Sequence, residues 1–239
     1  MNALLAEILE AHGGQDLWRS YECVDADIVT GGGIFALKGL TQDAAAQRIT
    51  VWMQEGLSSL TPFGEPDQCS VCSADRIAIE KLDSTVVAER LSPQDSFVGH
   101  QMNTPWDPLH WAYFSGVALW NYLSTPFLLA LPGVRVEELA PWTEGHESWR
   151  VLKAYFPRSV ATHSLTQEFF FGADLRLRRH DYRVNLAGGF AASQLTFDYV
   201  EAGGLRLPTR RRAYLCGPDR RPVLDLLLLS IDLSVIDFR

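Results

Sequence analysis

The chain has 239 residues, a formal charge of −8 and 47% hydrophobic residues, enough apolar material for a sizeable core. An acidic balance excludes the overall basic footprint of a nucleic-acid binder, so no nucleic acid is expected as a partner. Seven Trp, seven Tyr and twelve Phe favour sheets and lined pockets over helical bundles.

The opening MNALLAEILEAHGG carries Glu7 and Glu10 and has neither a basic leader nor a long apolar stretch. It does not read as a secretory signal, and the expected location is the cytoplasm. There Cys23, Cys69, Cys72 and Cys216 are expected as reduced thiols. Cys69-Ser-Val-Cys72 has the spacing of a redox or metal half-site, but no second pair accompanies it, so neither metal nor cofactor is expected.

Leu4, Leu5, Ile8 and Leu9 recur at helical spacing and predict a helix over 3–12, stopped by Gly13 and Gly14, with Trp18 as an anchor on the sheet. Strands are predicted at 21–30, 33–38 and 47–57, then a loop at TPFGEPDQCS, then strands at 75–82 and 84–91. Ser92-Pro93 opens a short helix that ends near Gly99.

The longest apolar run follows, from Thr104 to Gly133. Residues 109–131 carry no charge over 23 positions, which reaches the length of a membrane span. His110, Asn121, Ser124 and Pro126, with no basic flanks, argue against a span, and no stable membrane insertion is expected. We predict instead a helix over 109–123, opened by Thr104-Pro105-Trp106-Asp107-Pro108, limited by Pro126 and lying in a sheet.

Beyond Pro132-Gly133 the chain reads as strands at 134–141, 148–156, 165–171, 175–185, 192–202, 205–216 and 223–237, with turns at 201–204 and 216–219. The expected fold is mainly β (α+β). It is one domain over 1–239, an open antiparallel half-barrel of about eleven strands wrapped on a central apolar helix.

This arrangement resembles the lipoprotein-carrier fold of the LolA and LolB type. The resemblance rests on a helix before the first strands, a helical insertion at mid-chain and an unbroken set of strands after it. More locally, HGG before Trp18, LKG at 37–39, TPWDPLHWAYF at 104–114, WNYL at 120–123, THS at 162–164, RRHDY at 178–182 and PTRRR at 208–212 resemble a group of bacterial proteins without signal peptides. The resemblance implies an apolar cavity; lipoprotein carriers themselves are exported.

Polar residues in or near the apolar stretch are the first candidates for chemistry. His110 and Tyr113 share a helix face, and Asn121 and Tyr122 follow two to three turns on. They either bridge helix to sheet or meet a ligand. Trp106, Phe114 and Trp120 are candidate cavity walls. His163 lies between hydroxyls in Thr162-His163-Ser164. In RRHDY, His180 and Tyr182 share a face, but Leu175 and Leu177 have the opposite parity, which predicts that His180 points outward unless a bulge intervenes.

Between Gly172 and Arg221 ten Arg stand against five acids, read either as solvated strand faces or as a seat for an anionic head group. Arg211 shares the parity of Leu205 and Leu207 and is expected inward, paired to Asp232 or Asp181 or else binding an anion; Arg210 and Arg212 are expected in water.

GGG at 31–33 lacks the flanking residues of a phosphate loop, and no GxSxG or HExxH occurs. The expected function is therefore binding of an apolar small molecule of lipid, polyketide or terpenoid type, with Trp106, Phe114, Trp120, Asn121, Tyr122, Tyr182 and Arg211 as ligand-binding residues. The alternative is an enzyme of the same shape that cyclises or isomerises an apolar intermediate, with His110, Tyr113, His163 and His180 as acid and base groups.

Overall fold

A computed structural model describes residues 2–42 and 45–239. Among them thirteen strands form one antiparallel sheet. The first wing holds β1 (Cys23–Gly31), β2 (Gln47–Trp52), β3 (Leu57–Thr61), β4 (Gln68–Cys72), β5 (Arg76–Lys81) and β6 (Val86–Leu91). The second holds β7 (Arg135–Glu144), β8 (Glu147–Tyr155), β9 (Thr166–Phe171), β10 (Leu177–Val184), β11 (Phe190–Ala202), β12 (Leu205–Cys216) and β13 (Pro222–Phe238). Each wing is a meander, and they join where β1 pairs with β13.

The chain leaves β6 at one edge of the sheet and resumes in β7 at the other. The connection must therefore cross a face of the sheet, and the apolar helix lies in that crossing. Among the described residues three α-helices precede it: α1 (Ala3–Ala11), α2 (Gln15–Ser20) and α3 (Ile34–Leu37). The crossing helix, α4 (Pro108–Ser124), matches the predicted span closely and packs on β2 to β5. Every residue from Ala112 to Ser124 is buried. A helix with no polar face is stable only when enclosed all round, which the sheet and its loops provide.

Local chemistry sets where α4 begins. Asp107 accepts from the His110 backbone N–H at 2.8 Å, the His110 ring reaches back to the cap, and Pro108 occupies the first turn. Gly116 allows the closest approach to the sheet. A Cβ there would lie 2.4 Å from Cys72 Cβ and 2.6 Å from its sulfur. Ser58 on β3 donates to the Gly116 carbonyl at 3.0 Å across this contact.

Several segments depart from their predicted form. Residues 33–38 are not a strand: Ile34 and Phe35 are adjacent and both buried, which one face of a strand cannot do, and they form α3. The strand predicted over 47–57 ends at Trp52, turns through Gly56 and restarts as β3. Both ends of the predicted loop TPFGEPDQCS belong to strands, β3 and β4. The predicted strands thus lose 33–38 and gain β3 and β4, and β3 is hidden because serine-rich LSSLT gives little hydrophobic alternation. The helix predicted at 92–99 is only a 3₁₀ turn, Pro93–Phe97.

Two of the quoted motifs are fastenings. In HGG, the His12 carbonyl accepts from Arg206 N at 3.0 Å, and Gly13 sits where a Cβ would be 2.4 Å from the Gly204 carbonyl oxygen. This docks α1 on the β11–β12 turn. In LKG, buried Lys38 donates to the Gln101 carbonyl at 3.0 Å and lies 4.3 Å from the Trp106 ring centre, holding the loop that leads into α4. Burial lowers its pKa to about 8.

Candidate functional site

A row of stacked rings runs beside the first half of α4. Trp111 stacks on Phe114 with centroids 5.9 Å apart, Phe114 on His163 at 4.5 Å, and His163 on Tyr182 at 5.9 Å. His180 continues it, 4.6 Å from Tyr182 and stacked on Phe169 at 4.3 Å. The structure thus brings together Phe114, His163, His180 and Tyr182, and adds Tyr122, whose hydroxyl lies 2.7 Å from that of Tyr182.

His180 faces inward, against the parity expectation. The pairing of β10 with β9 slips between Leu177 and Arg179, and this bulge puts Leu177, His180 and Tyr182 all on the buried face. His180 Nε2 lies 2.6 Å from Gln167 Oε1. Arg179 is turned to the other face, where its buried guanidinium lies over the rings of Trp142 and Phe170 and is ion-paired with Asp181.

Arg211 is inward and 2% exposed. Its partner is neither Asp232 nor Asp181: it donates to Gln194 Oε1 at 3.0 Å and to the Tyr122 carbonyl at 2.7 Å, and its guanidinium lies over the Tyr122 ring. That carbonyl belongs to the last turn of α4, where carbonyls lack helical partners and the helix dipole is negative. The buried cation therefore closes the C-terminus of α4 onto β11 and β12. Asp232 instead pairs with Arg210 and Arg212, so Arg212 is only half-exposed rather than free in water.

The remaining predicted residues lie along α4 or, in the case of Trp106, just before it. His110 and Tyr113 lie against Phe97, with centroids at 4.8 Å and 5.9 Å, away from the polar cluster. Tyr113 is fully buried, and desolvation raises its pKa. Trp106 touches Phe114 at 4.9 Å and donates to His100 Nδ1 at 3.2 Å. Trp120 donates to the Trp52 carbonyl at 3.2 Å, and Asn121 to the carbonyls of Val117 and Ala161 at 2.7 Å and 2.9 Å.

Burial governs the electrostatics. Desolvation lowers the His163 pKa to about 3 and that of His180 well below its ordinary value, the latter also through Arg211 and His163 nearby. It lowers His100 and His110 as well, and raises Tyr122 and Tyr182. Near neutral pH these imidazoles are uncharged and weakly basic. On β4, Cys72 is buried against α4 and its thiol is pushed up to about 12, while Cys69, an odd number of residues away, is on the other face.

Three spaces adjoin this row. Between α4 and the sheet is an apolar seam of 20 Å³ lined by Leu60, Trp111, Phe114, Ala118, Leu119 and Ile231, among others. It shares Thr30, Gln47 and Trp111 with an open cleft of 530 Å³ whose apolar wall includes Phe35, Leu40, Phe63 and Pro108. A separate cleft of 510 Å³ has His163 in its lining, with His100, Arg158 and Asn185. Trp111, Gln167, Gln194, His100 and Arg158 were not singled out from the sequence. Trp111 could have been found as the neighbour of His110 in HWAYF; the two glutamines carry no signal of their own.

No family model matches the sequence, and no curated protein matches it. Solved structures do. A LolA superfamily protein from Nitrosomonas europaea superposes with a TM-score of 0.56 at 12% identity, covering 98% of this chain and 92% of that one. A domain described as an outer membrane lipoprotein-sorting protein from Vibrio parahaemolyticus gives 0.55 at 11% identity, covering 99% and 91%. The chain therefore has the LolA-like fold, an open antiparallel sheet around a central helix.

Proposed function

We propose that the protein binds an apolar small molecule of lipid, polyketide or terpenoid type between α4 and the sheet. The observation that carries this reading is the apolar seam beneath Trp111 and its continuity with the outer cleft through Thr30 and Gln47. The seam's 20 Å³ has room for about one water and falls far short of the roughly 300–1,000 Å³ of a small-molecule site, so a ligand enters by displacing Trp111 and parting α4 from the sheet. The likeness in fold to a lipoprotein-sorting domain supports a carrier or binder. Binding is favoured over cyclisation or isomerisation because His110, His163 and His180 all have lowered pKa values, which makes them weak bases near neutral pH.

Titration with the fluorescent apolar dye N-phenyl-1-naphthylamine, together with native mass spectrometry of gently purified protein, tests this. Saturable dye binding is expected. Trp111→Ala should speed its uptake, and Ala118→Phe, which fills the seam, should weaken binding about tenfold or more while the folded spectrum persists. Absence of both a co-purifying ligand and saturable dye binding would sink the proposal.

A further inference from the structure

The 510 Å³ cleft beside His163, midway along the ring row, is chemically unlike the seam. Its lining comes from three segments: the 3₁₀ turn at Pro93–Phe97 with the residues up to His100, the loop 158–165 before β9, and Asn185-Leu186 after β10. Its size lies within the range of small-molecule sites, about 300–1,000 Å³. No acidic side chain lines it, although the whole chain carries −8. Arg158 is its single charged group, and among the described residues that guanidinium takes part in no ion pair and no hydrogen bond.

His163 supplies the second, independent observation. It is 5% exposed, borders the cleft, and neither ring nitrogen has a partner. Buried polar atoms are nearly always satisfied, so a ring with two orphan nitrogens at the edge of a cavity is placed for a partner from outside the chain. Its stacking on Phe114 and Tyr182 fixes the plane of the ring. His100 adds a donor: its Nδ1 accepts from Trp106 Nε1, which leaves the proton of the neutral ring on Nε2. The rim is apolar, with Val98 84% and Leu165 41% exposed.

We propose that this cleft is a second binding site, for a small monocarboxylate with a short apolar body. The carboxylate would meet Arg158 and the imidazole N–H groups, and the apolar body would lie on Val98, Leu165 and Leu186. A single cation among neutral donors suits one negative charge. The site is distinct from the seam, from which the Phe114–His163 stack divides it, and it stands whether or not the seam takes an apolar ligand.

Calorimetry with hexanoate, hexanol, hexylammonium and inorganic phosphate, combined with imidazole NMR, tests the assignment. Hexanoate should bind more tightly than hexanol or hexylammonium and should shift the His163 ring resonances. Arg158→Gln changes an exposed side chain with no partner, so the fold should be untouched. It should weaken hexanoate about tenfold or more and leave hexanol unaltered. Equal binding of hexanol, equal binding of phosphate, full retention in Arg158→Gln, or hexanoate binding that leaves His163 unmoved would each overturn the proposal.

Discussion

His163 is enclosed by Phe114 and Tyr182, and its pKa is lowered to about 3 by burial alone. In the unfolded chain the same ring takes a proton below about pH 6.5. Between those two values the unfolded state binds the extra proton. Stability contributed by the neutral ring is therefore complete above about pH 6.5 and is lost as pH falls toward 3. The slope can reach about 1.4 kcal/mol per pH unit for one such imidazole. Urea unfolding at about pH 7 and about pH 5 should show His163→Phe losing less stability on acidification than the wild type, although His180 and His12, also lowered, keep some slope in the variant. Equal losses would contradict it. Residue-level features of this kind were partly legible. The parity of Arg211 with Leu205 and Leu207 gave its direction, but its partners are a glutamine and a carbonyl from a distant helix end, which no local pattern encodes. His180 was misplaced because a bulge cancels strict alternation, and the bulge has no signature within RRHDY.

At the scale of elements, α4 was the most readable part of the chain, since an unbroken apolar run and an Asp-Pro start specify a buried, capped helix. The glycine within it reads as a blemish in a helix, yet it sets how near the helix can come to β3 and β4. Replacing Gly by Ala in a helix ordinarily gains up to about 1 kcal/mol from propensity. At Gly116 the added Cβ would press on Cys72 and Ser58, so Gly116→Ala should instead destabilise the fold by roughly 1–3 kcal/mol in urea unfolding. Cys72→Ala should not rescue it, because the Cys72 Cβ is itself the nearest atom; stability at or above wild type in Gly116→Ala would refute the contact. β3 and α3 were illegible for opposite reasons. In β3 the inward positions include Ser58, which is there for the Gly116 carbonyl, and in α3 two adjacent apolar residues imitate a short strand.

Across the whole molecule, the excess of arginine between Gly172 and Arg221 is dispersed by pairing. Arg220 reaches Glu168, Arg221 reaches Glu144, and Arg210 and Arg212 share Asp232, so acids from outside the segment help neutralise it. The two wings are held together at two levels. Strand β1 pairs with β13, where buried Asp25 takes hydrogen bonds or ion pairs from Thr50, Arg48 and the final Arg239. Helix α4 then bonds to both wings, through Ser58 to the Gly116 carbonyl on one side and from Arg211 to the Tyr122 carbonyl on the other. One hydrophobic cluster runs through both wings and the helix. Such sharing predicts a single cooperative unit, in which denaturant-driven hydrogen exchange of β3 to β5 and of β8 to β10 has one common midpoint. Asp25→Ala, which leaves two arginines without their buried partner, should cost roughly 1–3 kcal/mol and lower both sets of midpoints together. If the second wing kept its midpoint while the first lost protection, the wings would be separate folding units and α4 would belong to only one of them.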